Sequence, residues 1–131
     1  MATIRVLLAD DNAAMLTDLQ DELSKEFQIV GTVDNGNDVV DAIARLDPDV
    51  LVLDMTMPGL NGIQVASRLR SLHVRTKILF LTIHEQAEYI SAAFSVGANG
   101  YVSKRSLARE LAPAIRAVFA GEKYLSPSLD R

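Results

Sequence analysis

The acidic pair Asp10 and Asp11 ends an otherwise apolar stretch, RVLLADDNAAM, near the beginning of the chain. Neighbouring carboxylates repel each other, and burying a carboxylate is unfavourable unless a positive charge or water compensates it. A third carboxylate, Asp54, ends a second apolar run in the segment LVLDMTMPGLNG. Acids placed in this way are candidates to hold a cation.

Two further side chains with chemical potential also follow apolar runs. Thr82 ends the run ILFLT, and Lys104 follows GYVS. Alone, each is typical of a solvated surface, and Asp10 and Asp11 would equally serve as caps of a helix that begins near Asn12. Together, the three carboxylates, the hydroxyl and the ammonium would form one oxygen-rich site. Oxygen-only ligands favour Mg²⁺ or Ca²⁺, and a small open site with few carboxylates suits Mg²⁺.

The elements that must position these residues are read from short apolar runs that alternate with longer amphipathic segments. We predict five strands, at Ile4–Ala9, Gln28–Val33, Val50–Leu53, Lys77–Leu81 and Gly100–Val102. Apolar residues at helical spacing predict five helices, within Met15–Phe27, Val39–Ile43, Ile63–Arg70, Tyr89–Phe94 and Leu107–Phe119. Gly97 and Gly121 would end the last two helices, because glycine readily adopts the left-handed conformation of a helix cap.

Strict alternation of strands and helices predicts a parallel sheet with helices on both faces, because each crossover returns the chain to the same end of the sheet. Continuously apolar strands agree with burial on both faces. In open sheets of this kind, ligands bind at the carboxyl ends of the strands. All the candidate residues end or follow a strand, so we expect them to converge at that edge.

The composition indicates one small acidic domain. With 131 residues and 49% hydrophobic content, the chain can bury one core but not two. The net charge is −4 and the 13 Lys and Arg residues are scattered, which argues against direct binding of nucleic acid. The chain has no cysteine, no signal-peptide pattern and no apolar stretch long enough to cross a bilayer. We therefore expect a soluble, cytoplasmic protein.

The ordered motifs of this chain resemble the receiver domain of two-component response regulators. They are an acidic pair after the first strand, Asp followed by MPG at the third, Thr ending the fourth, an aromatic residue in the fifth and Lys after it. The resemblance implies an α/β, flavodoxin-like (βα)5 three-layer sandwich with a five-stranded parallel sheet in the order 2-1-3-4-5. It further implies a receiver domain over residues 1–122 and a tail, or the start of a linker, over residues 123–131.

The same resemblance implies the role of each acidic residue. Asp54 would be the phosphoacceptor, a nucleophilic carboxylate that takes a phosphoryl group from a phosphohistidine. Mg²⁺ or Mn²⁺ would be held by Asp11, Asp54 and the backbone carbonyl of Thr56, and Asp10 would act mainly through a bound water. The metal and Lys104 would offset the negative charge of the phosphoryl oxygens.

The resemblance also implies a conformational switch made of Thr82 and Tyr101. Thr82 would hydrogen-bond the attached phosphoryl group, and the ring of Tyr101 would move inward as Thr82 shifts. The residue-based alternative for Tyr101 is a half-buried aromatic side chain of a strand. Ile83 stands where many receivers have a small residue, so its bulk would restrict access to the phosphoryl group. His84 is interpreted as a solvated loop histidine at the mouth of the site.

The final part of the chain, from GANGYVSK to AGEKYLSPSLDR, resembles the NarL/FixJ subgroup, whose output is a LuxR-type helix-turn-helix. This implies a sensor histidine kinase as partner, homodimer formation on phosphorylation, and DNA contact only through an output domain outside this chain. No membrane partner is expected. The domain would be a switch and not an enzyme, with at most slow labelling by small phosphodonors and slow autodephosphorylation.

Three alternatives belong to other functional classes. A receiver that binds proteins without phosphorylation would be expected to lose the acidic pair, Asp54 or Lys104, and this chain keeps them all. A haloacid-dehalogenase-like phosphatase needs a second Asp two residues after its nucleophile, where this chain has Thr56. A flavodoxin-like binder of nucleotide or flavin needs a phosphate loop rich in Ser, Thr and Gly, whereas the loop ADDNAAM is acidic.

Overall fold

The computed structural model describes residues 3–129. Residues 1–2 of the expected receiver domain, 1–122, lie outside the described residues. Residues 130–131 of the expected tail, 123–131, also lie outside them. The strands are β1 (Arg5–Ala9), β2 (Gln28–Val33), β3 (Val50–Leu53), β4 (Lys77–Thr82), β5 (Gly100–Ser103) and β6 (Tyr124–Leu125). The α-helices are α1 (Ala13–Leu23), α2 (Asn37–Leu46), α3 (Gly62–Ser71), α4 (Ala87–Ser95) and α5 (Leu107–Phe119), with short 3₁₀ turns at Lys104–Ser106 and Pro127–Leu129.

The sheet is parallel, and its order is β2-β1-β3-β4-β5-β6. The order expected for the first five strands is confirmed, but the expected count of five is one too low. The additional strand, β6, pairs Tyr124 with Gly100 and Leu125 with Tyr101. A two-residue strand carries no periodic pattern of its own, and it forms because the chain returns after α5 to the open edge of β5. Part of the segment 123–131 is therefore packed on the sheet.

Two apolar clusters lie on the two faces of the sheet and form the three-layer sandwich. Leu7, in β1, faces the cluster with α2, α3 and α4, whereas its neighbours Val6 and Leu8 face the cluster with α1 and α5. Side chains alternate between the faces of a strand, so a continuously apolar strand can feed both layers. Among the described residues, no helix is long and apolar enough to cross a membrane.

Most element boundaries agree with the expected ones to within a few residues. Gly97 and Gly121 follow α4 and α5 with φ of 98° and 92°, as expected for left-handed caps. Helix α1 ends at Leu23, earlier than its apolar spacing indicated. Phe27 still reaches the core from the following turn, which explains why it continues the apolar pattern without being helical.

Candidate functional site

Three aspartates converge at the carboxyl edge of β1 and β3, which are neighbours in the sheet. One carboxylate oxygen from each of Asp10, Asp11 and Asp54 lies within 4.8 Å of the other two. Sheet-like hydrogen bonds continue one residue beyond the strands, because Asp10 N–H donates to the Val33 carbonyl and Asp54 N–H donates to the Ala9 carbonyl. The sheet itself therefore fixes the backbone of two of the three acids.

The three acids differ in burial and in local role. Asp10 and Asp54 are buried, with 3% and 6% exposure, and Asp11 is exposed. The cap of α1 is Asn12, whose side-chain oxygen accepts the N–H of Met15. Asp10 accepts the N–H of Asn12 at 2.9 Å and so orders the turn before the helix. Asn12, and not the acidic pair, therefore caps helix α1.

Lys104 supplies positive charge to this cluster from the 3₁₀ turn after β5. Its Nζ lies 2.8 Å from Asp10 Oδ2 and 3.7 Å from Asp54 Oδ2. The turn is ordered by Ser103, whose hydroxyl oxygen accepts the N–H of Arg105. Three carboxylates are therefore accompanied by one ammonium group, and the cluster keeps an excess of negative charge.

Burial and the excess negative charge raise the proton affinity of Asp54. Burial raises the pKa of this carboxyl to about 6, the negative charge of Asp10 adds to the increase, and Lys104 opposes it. A backbone hydrogen bond from Thr56 also favours the ionised form. A divalent cation near these oxygens would offset the repulsion. The donor set, oxygen atoms alone with surplus negative charge, fits Mg²⁺ or Mn²⁺.

The loop after Asp54 is held by a very close approach of helix α3. A Cβ atom on Gly62, the first residue of α3, would lie 2.6 Å from the Asp54 carbonyl oxygen and 2.9 Å from the ring of Phe80. Gly62 N–H donates to the Met55 carbonyl at 2.8 Å, and Asn61 caps the helix. Only glycine fits at this position. Sequence reasoning did not select Gly62, although its place directly after a capping asparagine was a usable signal.

Thr82 ends β4, the strand next to β3, and it is fully buried. Its hydroxyl oxygen accepts the N–H of His84 at 3.3 Å. The His84 ring contacts the Thr56 hydroxyl at 3.0 Å and stacks on Tyr89 with ring centroids 4.3 Å apart. His84 is therefore held between the loop that follows β3 and helix α4, unlike the freely solvated histidine expected from the sequence. Ile83 is 69% exposed, which directs most of its bulk to solvent.

Known proteins match most of this chain in sequence and in fold. The response regulator receiver domain family matches residues 6–116. This chain belongs to that family. The response regulator GacA of Pseudomonas viridiflava is 34% identical over 128 residues, which cover 96% of this chain and 60% of the relative. The receiver domain thus spans about 60% of the length of this curated relative.

Solved structures agree with this assignment. A LuxR-family two-component response regulator from Aurantimonas sp. superposes with a TM-score of 0.93 at 29% identity, covering 98% of this chain and 93% of that one. The receiver domain of the putative response regulator NarL from Mycobacterium tuberculosis gives 0.88 at 30% identity, covering 93% and 100%. The sequence and structural neighbours of this receiver domain are therefore regulators of the NarL/LuxR type.

Tyr101 of this receiver domain is fully buried in β5, more deeply than the half-buried alternative supposed. Its hydroxyl donates to the His84 carbonyl at 2.7 Å, and its ring lies 6.2 Å from that of Phe80. Burial raises the pKa of the phenol above its usual value, so the hydroxyl remains a hydrogen-bond donor at neutral pH. Tyr101 thereby connects β5 to the loop between β4 and α4.

A second connection between β5 and the β4–α4 loop was not expected from the sequence. The hydroxyl of Ser103 donates to Glu85 Oε2 at 2.5 Å, and Arg105 Nη1 lies 3.2 Å from Glu85 Oε1. Glu85 and Ser103 are separated by a helix in the sequence, and no local pattern announces their contact. Adjacent parallel strands bring them together, because Thr82 and Ser103 are paired in the register of β4 and β5.

Proposed function

We propose that this receiver domain accepts one phosphoryl group on Asp54 from the phosphohistidine of a sensor histidine kinase, in a reaction that requires Mg²⁺ or Mn²⁺. The observation that carries the proposal is the cluster of Asp10, Asp11 and Asp54 within 4.8 Å, beside the ammonium of Lys104. Asp54 is the acid of the three that ends β3, and it is shielded from most of the solvent. A carboxylate held in this way can act as a nucleophile.

Asp11, Asp54 and the backbone carbonyl of Thr56 would hold the metal directly, and Asp10 would act mainly through a bound water. When bound, the metal offsets negative charge on the phosphoryl oxygens. The exposure of Asp11 supports its direct role, since its carboxylate is not engaged by Lys104 as that of Asp10 is. The backbone N–H of Thr56 favours the ionised form of the Asp54 carboxylate, which is the nucleophilic form.

In the transfer, an oxygen of Asp54 forms the new bond to phosphorus while the bond between phosphorus and the kinase imidazole nitrogen breaks. The electron pair of the broken bond stays with the imidazole. Phosphoryl transfer depends mostly on positioning and on charge stabilisation. Lys104 lies 3.7 Å from Asp54 Oδ2 and would pair with a phosphoryl oxygen. Without a kinase, we expect only slow labelling by small phosphodonors and slow autodephosphorylation.

The attached phosphoryl group would act on Thr82 and Tyr101 as a two-state switch. The Thr82 hydroxyl oxygen accepts the N–H of His84. A phosphoryl group would offer a charged acceptor to the hydroxyl proton of Thr82, and hydrogen bonds to charged groups are stronger than those between neutral groups. Movement of Thr82 would shift His84, whose carbonyl holds the Tyr101 hydroxyl. This chain of contacts supports a signal that runs from Asp54 to β5.

The partners belong to the same proposal. The output would be a LuxR-type DNA-binding domain that regulates transcription, since the relative GacA is longer than this chain and a solved neighbour is a LuxR-family response regulator. The receiver would form a homodimer on phosphorylation and would touch DNA only through that output domain. Its place would be the cytoplasm, where a sensor histidine kinase presents its phosphohistidine.

Covalent labelling tests the proposal. The chain is incubated with acetyl phosphate and Mg²⁺, and intact-mass spectrometry is expected to show the addition of one phosphoryl group. Asp54→Asn is expected to remain unlabelled, whereas the matched control Asp41→Asn, an exposed position on α2, is expected to be labelled like the wild type. Equal labelling of Asp54→Asn would contradict the assignment. Labelling of none of the three would favour a receiver that binds its partners without phosphorylation.

A further inference from the structure

The residues after β6, numbers 126–129, form a segment that we name the strap. Ser126 is fully buried. Its N–H donates to the Tyr101 carbonyl at 3.0 Å, and its hydroxyl oxygen accepts the N–H of Ser103 at 3.1 Å. The strap is therefore fastened to the backbone of the two residues of β5 whose side chains contact the β4–α4 loop.

Tyr101 and Ser103 each hold the strap with their backbone and the loop with their side chain. On the loop side, the Tyr101 hydroxyl donates to the His84 carbonyl at 2.7 Å and the Ser103 hydroxyl donates to Glu85 at 2.5 Å. A movement of the loop therefore acts on Tyr101 and Ser103, the same two residues that hold the strap.

The strap and the loop also share a polar cavity of about 630 Å³. Its lining includes Glu85 of the loop, Ala87 and Ile90 of α4, and Ser128 and Leu129 of the strap. Leu129 packs against the same apolar cluster that contains the Tyr101 ring. Movement of that ring would alter the cluster on which Leu129 packs, because packing contacts depend on the close approach of neighbouring atoms.

The strand that precedes the strap is anchored independently. Tyr124 packs on the opposite face of the sheet, against the cluster with α1 and α5, and its hydroxyl donates to Glu110 at 3.3 Å. Its N–H donates to the Asn99 carbonyl at 3.0 Å. None of these contacts involves the β4–α4 loop, so Tyr124 can stay in place while the strap moves.

We propose that the strap senses the state of Asp54: it loosens from β5 when a phosphoryl group engages Thr82 and the β4–α4 loop changes its contacts with Tyr101 and Ser103. The inference rests on the proposed phosphorylation of Asp54 and adds the element that reads it. Tyr124 acts as the hinge about which the strap moves.

Amide hydrogen exchange followed by NMR tests the movement on the full chain. Mg²⁺ and beryllofluoride, which mimics the phosphoryl group, are added together. The amides of Ser126 and Leu129 are expected to exchange at least about fivefold faster, since local opening governs exchange, while that of Tyr124 changes by less than about twofold. Unchanged exchange at Ser126 and Leu129 would overturn the proposal, as would equal acceleration at Tyr124.

Reciprocity gives a second test. If beryllofluoride at Asp54 loosens the strap, then a variant with a weakened strap must bind beryllofluoride more tightly, by the same factor. Ser126→Ala removes the acceptor for the Ser103 N–H and is expected to lower the beryllofluoride concentration at half-saturation about three- to tenfold, as measured by fluorine NMR. Ser128→Ala, at an exposed position of the strap, is the matched control and is expected to bind like the wild type.

Leu129→Ala provides a second variant if Ser126→Ala does not fold, because Leu129 is only partly buried. It is expected to shift beryllofluoride binding in the same direction. Acetyl phosphate labelling, measured in parallel, separates the two hypotheses. Normal labelling of Asp54 with an unresponsive strap would overturn only the proposed movement of the strap. Failure of labelling would overturn both that movement and the phosphorylation of Asp54.

Discussion

The two ends of the parallel strands carry two charge clusters of opposite character. At the amino ends, Arg75 lies 3.1 Å from Asp47 and 3.2 Å from Asp49, and the side chain of Arg5 donates to backbone carbonyls while its N–H donates to Asp49. Two guanidinium groups thus accompany two carboxylates. The Arg75 and Asp47 side chains are mostly exposed, at 58% and 66%.

At the carboxyl ends, the charges are not balanced, and of the three acids only Asp11 is exposed. Asp10, Asp11 and Asp54 share one ammonium, that of Lys104, and the side chains of Asp10, Asp54 and Lys104 are 4%, 8% and 15% exposed. Exposed and balanced pairs contribute little to stability, whereas buried charges are costly when they lack a partner. The difference indicates that the amino-end cluster ties loops together, and it supports the proposal that the carboxyl-end cluster receives a cation and a phosphoryl group.

The sharpest contrast is expected in phosphoryl labelling. Asp11→Ala removes a proposed metal ligand that contributes no ion pair to the described structure. The change is expected to reduce Mg²⁺-dependent labelling by acetyl phosphate by at least roughly a hundredfold. Asp47→Asn, at the amino ends, is expected to be labelled normally, since asparagine tolerates the left-handed backbone of that position. Normal labelling of Asp11→Ala would remove Asp11 from the site.

The next contrast is in stability without metal. Lys104→Met leaves Asp10 and Asp54 uncompensated in a mostly buried cluster and is expected to lower the free energy of unfolding by about 3 kcal/mol. Arg75→Met removes a mostly exposed pair with Asp47, and Asp49, whose side chain is 17% exposed, keeps the Arg5 N–H as a donor, so a smaller decrease is expected. Urea denaturation in the presence of EDTA measures both. A larger loss for Arg75→Met would reverse the comparison between the two clusters.

Removing a negative charge at the carboxyl ends should raise the stability of the metal-free protein, whereas removing the positive charge of Lys104 lowers it. The pKa of Asp54 is raised from 3.8 to about 6, so the ionised side chain destabilises the metal-free fold at neutral pH. Discounted for screening by water at the open site, the gain for Asp54→Asn is about 1–2 kcal/mol. Thermal denaturation should show a higher Tm for Asp54→Asn in EDTA and a smaller increase on adding Mg²⁺. A lower Tm in EDTA would show that the cluster is already compensated.

The smallest effect separates helix capping from site chemistry. Asn12→Ala removes the cap of α1 and is expected to cost about 1 kcal/mol of stability. Labelling by acetyl phosphate is expected to remain, because the N–H of residue 12 that orders Asp10 belongs to the backbone. Denaturation and labelling of the same sample measure both quantities. If Asn12→Ala lost labelling while Asp11→Ala kept it, the acidic pair would matter only through the turn before α1.

The sequence predicted the fold well because its signals are local or periodic. Continuous apolar strands, amphipathic helices and glycine caps such as Gly97 and Gly121 are visible in short windows. The extra strand β6 was missed, because two residues offer no period. The bonds of His84 and the Ser103–Glu85 contact were missed because their partners come from other loops, and the tight fit of Gly62 depends on a backbone that only the folded loop creates.

By itself, the sequence determined which residues stand at the ends of strands, because the point where each apolar run stops is visible in it. These residues are the acidic pair, Asp54, Thr82 and Lys104. It also determined that these strands are parallel, since helices separate them. Only the tertiary structure decided how charge is shared, with Lys104 paired more closely to Asp10 than to Asp54. It likewise decided that Ser126 is fastened to Tyr101 and Ser103. Distances between residues far apart in the chain depend on strand order and register, and those are set by packing the whole sheet.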